Sequence, residues 1–498
     1  MDLSTLRHQG EGLFQALANA ERERLARAAP AIDFSPIFKS FTALSSLEAF
    51  ACAREGFDRS SEDSRATARA LLDLAATVLE GYRTASLDAE RAQLDSRPVL
   101  VEGARLPLGE VRRKVRHEPD RERRAQLARA AQQVLPAADL PLARRIDECQ
   151  ELAGQLGYGS YEALRAAATG IDLAALAAEA SQVLAQTDDA WRDLFDFGLR
   201  KVVGRLPLKP RGEAAAHDLE RYSRIEKLDD LFKSGGLLTV GQAFLEAMGL
   251  APSARGRIEL DDHPRAQGSP GATALGLQIP SEIVVVLGRE GGEPDYAALF
   301  HALGRAHHLA ATNPELPFEV RRFGGEPVRE AFGLLFDQTL ADAAVLRRYL
   351  NADTKEAAEA ARLVAIERLS RLRRQCAALL YQRTLYAEGP RDELRGLYRE
   401  QHQKALAVDW PVEGWLSDVE PRLAVAEALR GFGLAETLRR GLLEAANEDW
   451  WRNPRTGPFL TRIAARGGTV PAEAVAKELG GPISLGAAAQ RLVSIAAS

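Results

Sequence analysis

Helical periodicity dominates this chain and restricts its fold more than any other feature of the sequence. Long stretches are rich in Ala, Leu, Glu and Arg, and their apolar residues recur at steps of three and four. The pattern predicts a helix over residues 60–82 that starts at Ser60 and Asp63, a helix or helix pair over 172–203, and a further helix over 355–386. Each stretch has one apolar face that must be buried, so we expect a mainly α fold.

Only two stretches have the composition of strands. Residues 257–260 form a short candidate, and residues 283–287 form a stronger one because they are β-branched and lie between Pro280 and Gly288. The stretch 261–272 between them is rich in turn-forming residues. We therefore expect a small sheet beside the helices.

The length of 498 residues is enough for two to four domains or lobes. Residues 206–212, which include two prolines, are the predicted boundary between an N-terminal helical lobe, 1–205, and a second domain, 206–498.

Composition excludes several classes of protein. A net charge of −5 argues against a dedicated nucleic-acid binder. No apolar run reaches the ~18 residues of a membrane helix, and the start of the chain does not resemble a signal peptide. Three scattered cysteines, Cys52, Cys149 and Cys376, form no CxxC pair, which excludes a disulfide framework and favours the cytoplasm. Arginines precede Cys376, but we expect a buried, unreactive thiol there.

Three of the eight histidines cluster in one predicted helix, residues 294–309. On such a helix His301 and Arg305 lie one turn apart on the same face, with His308 a further turn along. In the zinc motif HExxH, two histidines four residues apart bind the ion and the Glu beside the first one is the general base. Here the first position is His301, the Glu position is Ala302, and the second His position is Arg305.

The residues around this helix resemble the thimet oligopeptidase and oligoendopeptidase F family of zinc metallopeptidases. The stretch 299–308 resembles the family's zinc helix, and 330–337, which begins 29 residues after His301, resembles the helix that carries its third ligand, Glu. Residues 267–272 and 283–287 resemble the glycine-rich turn and the strand beside the substrate cleft. The resemblance runs from about residue 140 to the end of the chain, and it implies a two-lobed zincin-like fold with a small sheet beside a deep central cleft.

The same resemblance implies that the zinc site is degenerate. Ala302 cannot accept a proton, and Arg305 has no lone pair and brings a positive charge to the position of a dication. The residual ligand positions are His301 and Glu330, while His308 lies roughly 10 Å from His301, too far to share an ion. We therefore expect neither a metal nor a cofactor.

Arg305 offers a replacement for the metal. A buried Glu330 needs a partner, and a guanidinium can bind a carboxylate through two hydrogen bonds. We expect an Arg305–Glu330 ion pair that connects the two helices, with Asp337 as a second acceptor; the alternative is that Arg305 extends to solvent. The segment that matches the family's oxyanion-binding residues, 421–432, contains neither His nor Tyr.

Three hypotheses follow. In the first, the chain is a catalytically inactive homologue of a zinc oligopeptidase that binds a peptide or a partner protein in its cleft; pairing with an active paralogue is a further partner hypothesis. In the second, it is an active hydrolase that uses His301, His308, Glu330 or Asp337 without metal, or with zinc or another cation. In the third, the resemblance is false and the chain is a helical scaffold, in which residues 301 and 330 would lie far apart.

Overall fold

A computed structural model describes residues 2–27, 29, 31–204, 214–263 and 271–498, and these residues form twenty-two α-helices and five short strands. The first part of the chain contains α1 (Leu3–Ala26), α2 (Ser35–Ser40), α3 (Leu47–Asp58), α4 (Arg65–Ala92), β1 (Pro98–Val101), β2 (Ala104–Pro107), α5 (Leu108–His117), α6 (Arg121–Gln132), α7 (Asp139–Gln155), α8 (Tyr161–Thr169), α9 (Leu173–Gln186) and α10 (Asp188–Val202).

The second part contains α11 (Ala216–Arg224), α12 (Leu237–Ala247), β3 (Ile258–Asp261), β4 (Gly271–Gln278), β5 (Glu282–Gly288), α13 (Glu293–Ala311), α14 (Phe318–Arg322), α15 (Glu326–Asp337), α16 (Ala343–Leu350), α17 (Thr354–Glu388), α18 (Leu394–Leu406), α19 (Ala424–Ala446), α20 (Thr456–Ala464), α21 (Ala472–Glu478) and α22 (Leu485–Ala497). No helix in these described ranges is both long enough and apolar enough to cross a bilayer.

The long helices lie close to where the periodicity predicts them. The stretch 172–203 is the helix pair α9 and α10, and the stretch 355–386 is α17, in which Cys376 is fully buried. The predicted start of α4 is wrong. The hydroxyl of Ser60 donates to the carbonyl of Phe57 and so completes the end of α3, while α4 begins only after Ser64.

The predicted sheet is present and has a third strand that the sequence did not reveal. β5 lies in the centre, with β3 parallel to it on one side and β4 antiparallel to it on the other; Ala274 faces Val285 in the second pair. β4 begins at Gly271, inside the predicted turn region, while residues 264–270 of that region lie outside the described residues. Within the described part of the chain, β4 is an edge strand of this sheet.

Helices from both parts of the chain share one hydrophobic core. α17 packs against α8, α9 and α10, and also against α18, α19 and α22. The predicted boundary, 206–212, lies outside the described residues, so the division into 1–205 and 206–498 stays a prediction.

Three helices in contact position the candidate site. α13 packs on α15, and α15 packs on α19. Gly304 of α13 permits the first contact, because a Cβ there would lie 2.2 Å from the carbonyl oxygen of Phe332 in α15. The α13–α15 spacing therefore depends on the absence of a side chain at position 304.

We expect Gly304→Ala to destabilise the chain by at least about 1–3 kcal/mol, because a methyl group cannot enter this contact unless the helices move apart. The measurement is the free energy of urea unfolding, and the matched control is Gly154→Ala in α7, where a Cβ has no atom within 4 Å. The control should be neutral or stabilising by up to about 1 kcal/mol. Equal stability of the two variants would contradict the packing described here.

Candidate functional site

The first turn of α13 fixes the direction of the helix that carries His301 and Arg305. Gly292, at φ 69°, precedes the helix, and Pro294 lies in its first turn, where no backbone donor is needed. The buried carboxylate of Asp295 accepts hydrogen bonds from the backbone N–H groups of Glu290 (2.8 Å) and Gly291 (3.0 Å). These contacts hold the loop from β5 against the start of α13.

A continuous chain of charged side chains connects α13 to α15. His301 Nε2 lies 3.0 Å from Glu330 Oε1, and Arg305 donates from Nη1 to Glu330 Oε2 at 2.5 Å. The second arm of Arg305 donates to Glu326 Oε1 at 2.7 Å, and Arg329 binds the other oxygen of Glu326. We call these five residues, His301, Arg305, Glu326, Arg329 and Glu330, the charge chain.

Two glycines make room for the charge chain. At Gly333 a Cβ would lie 2.7 Å from His301 Nε2, and at Gly431 in α19 a Cβ would lie 2.6 Å from Glu330 Cγ. Any larger residue at either position would displace His301 or Glu330. The two side chains therefore meet because the neighbouring helices leave space for them.

The side chains next to the two glutamates stabilise the ionised carboxylates. Burial alone would raise the pKa of Glu330, but His301 and Arg305 lower it to about 2. Arg305 and Arg329 likewise lower the pKa of Glu326 against the opposing effect of burial. The two glutamates raise the pKa of Arg305, so its guanidinium stays charged.

The predicted Arg305–Glu330 ion pair is present, but its predicted second acceptor, Asp337, is not part of it. Asp337 is fully buried, two turns further along α15, where Arg368 of α17 donates to it at 2.6 Å. The same guanidinium donates to Glu293 at 2.5 Å and also binds Glu367. The prediction failed because it left out α17. Arg305 also does not bind Glu330 with both arms, since its second arm binds Glu326.

His308 does not join the charge chain. It is buried, its ring meets the edge of Phe332, and burial holds its pKa well below the ordinary value. Within the described part of the chain neither of its ring nitrogens has a hydrogen-bond partner. His308 is a neutral residue of the core, which removes it as an acid–base group of the second hypothesis.

Two cavities meet at the charge chain. One, of about 370 Å³, is lined by His301 and is called the His301 cavity; the other, of about 800 Å³, is lined by Arg305 and is called the Arg305 cavity. Both are lined by Glu330 and by Gln375 of α17. Residues of α1, α4 and α8 line the Arg305 cavity together with residues of β4, α13, α15 and α19.

The segment 421–432 contributes to the wall of the His301 cavity. It forms a 3₁₀ turn, Pro421–Leu423, and the start of α19, and its Phe432 lines the His301 cavity. Among the described residues that line either cavity there is no tyrosine, and His301 is the sole histidine. No side chain there can act as the phenolic or second imidazole donor that a developing oxyanion would need.

The donor set does not fit a zinc ion. Glu330 has one oxygen on His301 and the other on Arg305, and His301 Nε2 faces Glu330 directly at 3.0 Å. A zinc ion needs lone pairs at about 2 Å, and a guanidinium offers none. Among the described residues, no group of three or more His, Cys, Asp or Glu side chains is placed to hold a metal. Ala302, which the sequence resemblance aligns with a general base, is buried and has no polar group.

Sequence reasoning missed Glu326 and Arg329. Both lie on α15 within four residues of Glu330, so helical spacing places them close to it. That spacing could have predicted their contact with the ion pair. It also missed Arg368, the partner of Asp337, because this contact joins residues that are far apart along the chain.

Comparison with known proteins identifies the fold. No protein-family model and no curated protein matches the chain. Among solved structures, a protein assigned as oligoendopeptidase F is similar over 99% of this chain and 96% of its own, with a TM-score of 0.64 and 14% identity. Trypanosoma cruzi metallocarboxypeptidase 1 is similar over 99% and 100% (TM-score 0.60, 12% identity), and PZ peptidase A over 88% and 79% (TM-score 0.59, 14% identity).

We expect Glu330→Gln to lower the unfolding free energy by about 2–3 kcal/mol at neutral pH. The folded-state pKa of Glu330, about 2, lies below its ordinary value of 4.5. Its contribution to stability is therefore fully present above pH 4.5 and is lost as the pH falls toward 2. Urea unfolding of both proteins from pH 7 to pH 3 measures this.

The control is Glu393→Gln, at the exposed start of α18, which should change stability little at any of these pH values. If the difference between wild type and Glu330→Gln does not change between pH 7 and pH 3, the charge of Glu330 is not what stabilises the fold.

Proposed function

On the mainly α, zincin-like fold that this chain shares with oligoendopeptidase F and related peptidases, we propose that it binds peptides in its cleft without hydrolysing them. One observation carries this proposal. The guanidinium of Arg305, which the sequence resemblance aligns with the second histidine of a zinc motif, donates to Glu330 and Glu326.

At the described positions that the resemblance assigns to metal-assisted hydrolysis, the residues present do not supply the required groups. Such hydrolysis needs a bound cation, a carboxylate that accepts the proton of the attacking water, and donors for the oxyanion. Arg305 replaces a ligand, Ala302 replaces the base, and Phe432 lies in the segment that should supply donors. A site with one missing group loses rate, whereas a site without all three has no route through this mechanism.

The cleft still has features suited to an extended peptide. β4 runs along both cavities, since Ala272 lines the His301 cavity and Ala274, Leu275 and Gly276 line the Arg305 cavity. An edge strand presents backbone donors and acceptors to which a peptide can add as a further strand. Charged residues of both signs and a row of apolar side chains in the larger cavity offer pockets for the side chains of the peptide.

A metal-free hydrolase is the second candidate function. The observation that favours it is the His301–Glu330 contact at 3.0 Å beside the His301 cavity, because a carboxylate can orient an imidazole as a general base. Arg305 opposes this function, since it competes with His301 for the same carboxylate. Cleavage that survives chelators but disappears in His301→Ala would favour this candidate.

We expect purified protein to bind peptides from a quenched fluorescent library, measured by anisotropy, and to leave them uncut over hours. Metal analysis of the same sample should find far less than one zinc per chain after dialysis against zinc. Stoichiometric zinc together with chelator-sensitive cleavage would overturn the proposal. If no peptide of the library binds, the peptide-binding part of the proposal is wrong.

We expect the double substitution Ala302→Glu and Arg305→His to give the chain about one zinc per molecule, because it supplies the missing imidazole and removes the blocking cation. Zinc content after dialysis is the measurement and does not depend on activity. The matched control is Ala302→Glu alone, which adds a carboxylate but keeps Arg305, and it should stay free of zinc. Zinc uptake by this control would show that Arg305 does not block the site.

A further inference from the structure

We propose that Arg322 anchors a carboxylate of the ligand in the Arg305 cavity. Arg322 is the last residue of α14, and it lines the cavity beside Gly276 and Arg329. The inference rests on the proposed function in so far as the ligand is a peptide, and it names a chemical group that this peptide carries.

The charge of Arg322 is not neutralised within the described chain. Five arginines line the Arg305 cavity. Arg165, Arg305 and Arg329 each have a carboxylate within 4 Å, and Arg422 is exposed to water. Arg322 is half-buried, and within the described ranges its one hydrogen bond goes from Nη2 to the carbonyl of Gly276 at 2.5 Å, while its buried Nε has no acceptor.

The surroundings of Arg322 disfavour its positive charge in the free protein. Burial is the main cause that lowers its pKa, to about 10; repulsion from Arg329 and Arg321 lowers it further, and attraction to Glu11 offsets only part of this shift. A cation without a counterion in a poorly solvated wall destabilises the free protein. A ligand carboxylate would remove that repulsion and form charge-assisted hydrogen bonds, so the free site favours an anionic group.

The apolar side chains near Arg322 indicate which kind of group would carry such a carboxylate. Phe14 of α1 lies 5.7 Å from the Arg322 guanidinium, and Leu309 and Phe323 line the same cavity. These side chains are apolar, so they favour an apolar group beside the carboxylate. The carboxyl terminus of an apolar peptide has this chemistry, and so does an acidic residue between apolar ones.

Three dansyl-labelled octapeptides of Ala, Leu and Phe test the assignment: one with a free carboxyl terminus, one with an amidated terminus, and one amidated with a central Glu. We expect wild type to bind at least one carboxylate-bearing peptide about 10-fold or more tightly than the neutral one. In Arg322→Gln this preference should disappear while binding of the neutral peptide stays the same. Tighter binding of the peptide with the free carboxyl terminus would indicate a terminal carboxylate, and tighter binding of the Glu peptide would indicate a side-chain carboxylate.

The control is Arg257→Gln. Arg257 and Arg322 both line a separate cavity of about 500 Å³, but Arg257 does not line the Arg305 cavity. The carboxylate preference should survive this substitution. If Arg257→Gln loses the preference, the carboxylate binds in the other cavity and the inference is wrong. The inference is also wrong if Arg322→Gln keeps the preference, or if wild type does not show it.

A second measurement separates this inference from the proposed function. If no peptide binds, the peptide-binding proposal fails, and thermal stabilisation by glutarate compared with neutral glutaramide then tests Arg322 alone. We expect glutarate to raise the melting temperature of wild type and not that of Arg322→Gln. Equal shifts in both proteins would overturn the anchor. Arg322→Gln should itself be no less stable than wild type, because it removes a charge that has no counterion.

Discussion

A single guanidinium, that of Arg305, joins the two helices at the centre of the cleft. Its two arms reach carboxylates on α15, and each of those carboxylates has a second side-chain partner, His301 or Arg329. A dication would hold these helices by coordination, whereas here hydrogen bonds between organic ions do so. Ionic hydrogen bonds of this kind need both partners, because a buried charge that loses its partner costs far more than the pair contributes.

The residues next to the charge chain fit this arrangement. Ala302, beside His301, packs in the core, and a carboxylate at that position would find no metal-bound water to deprotonate, because Arg305 offers a metal no lone pair. Phe432 lines the His301 cavity. β4 lies along both cavities, so the peptide binding that we propose needs the surface of these cavities and not a metal.

The surplus of positive charge at Arg322 fits the same picture. Glutamates neutralise the arginines of the charge chain. Arg322, which has no carboxylate partner among the described residues, donates to the backbone near the carboxyl end of β4. In our proposal, separate groups therefore hold the helices together and bind the ligand.

The sequence by itself determined the helical class, the two principal strands, the helix pair α9 and α10, and the meeting of His301, Arg305 and Glu330. These features depend on periodicity, β-branching and the spacing of a few residue types, all of which are local or follow from the resemblance. Tertiary structure alone decided that Asp337 binds Arg368, that Arg305 divides its two arms between Glu330 and Glu326, and that Arg322 has no carboxylate partner among the described residues. Such pairings depend on which helices and loops come within about 3 Å of one another, and a one-dimensional pattern of residues does not specify that distance.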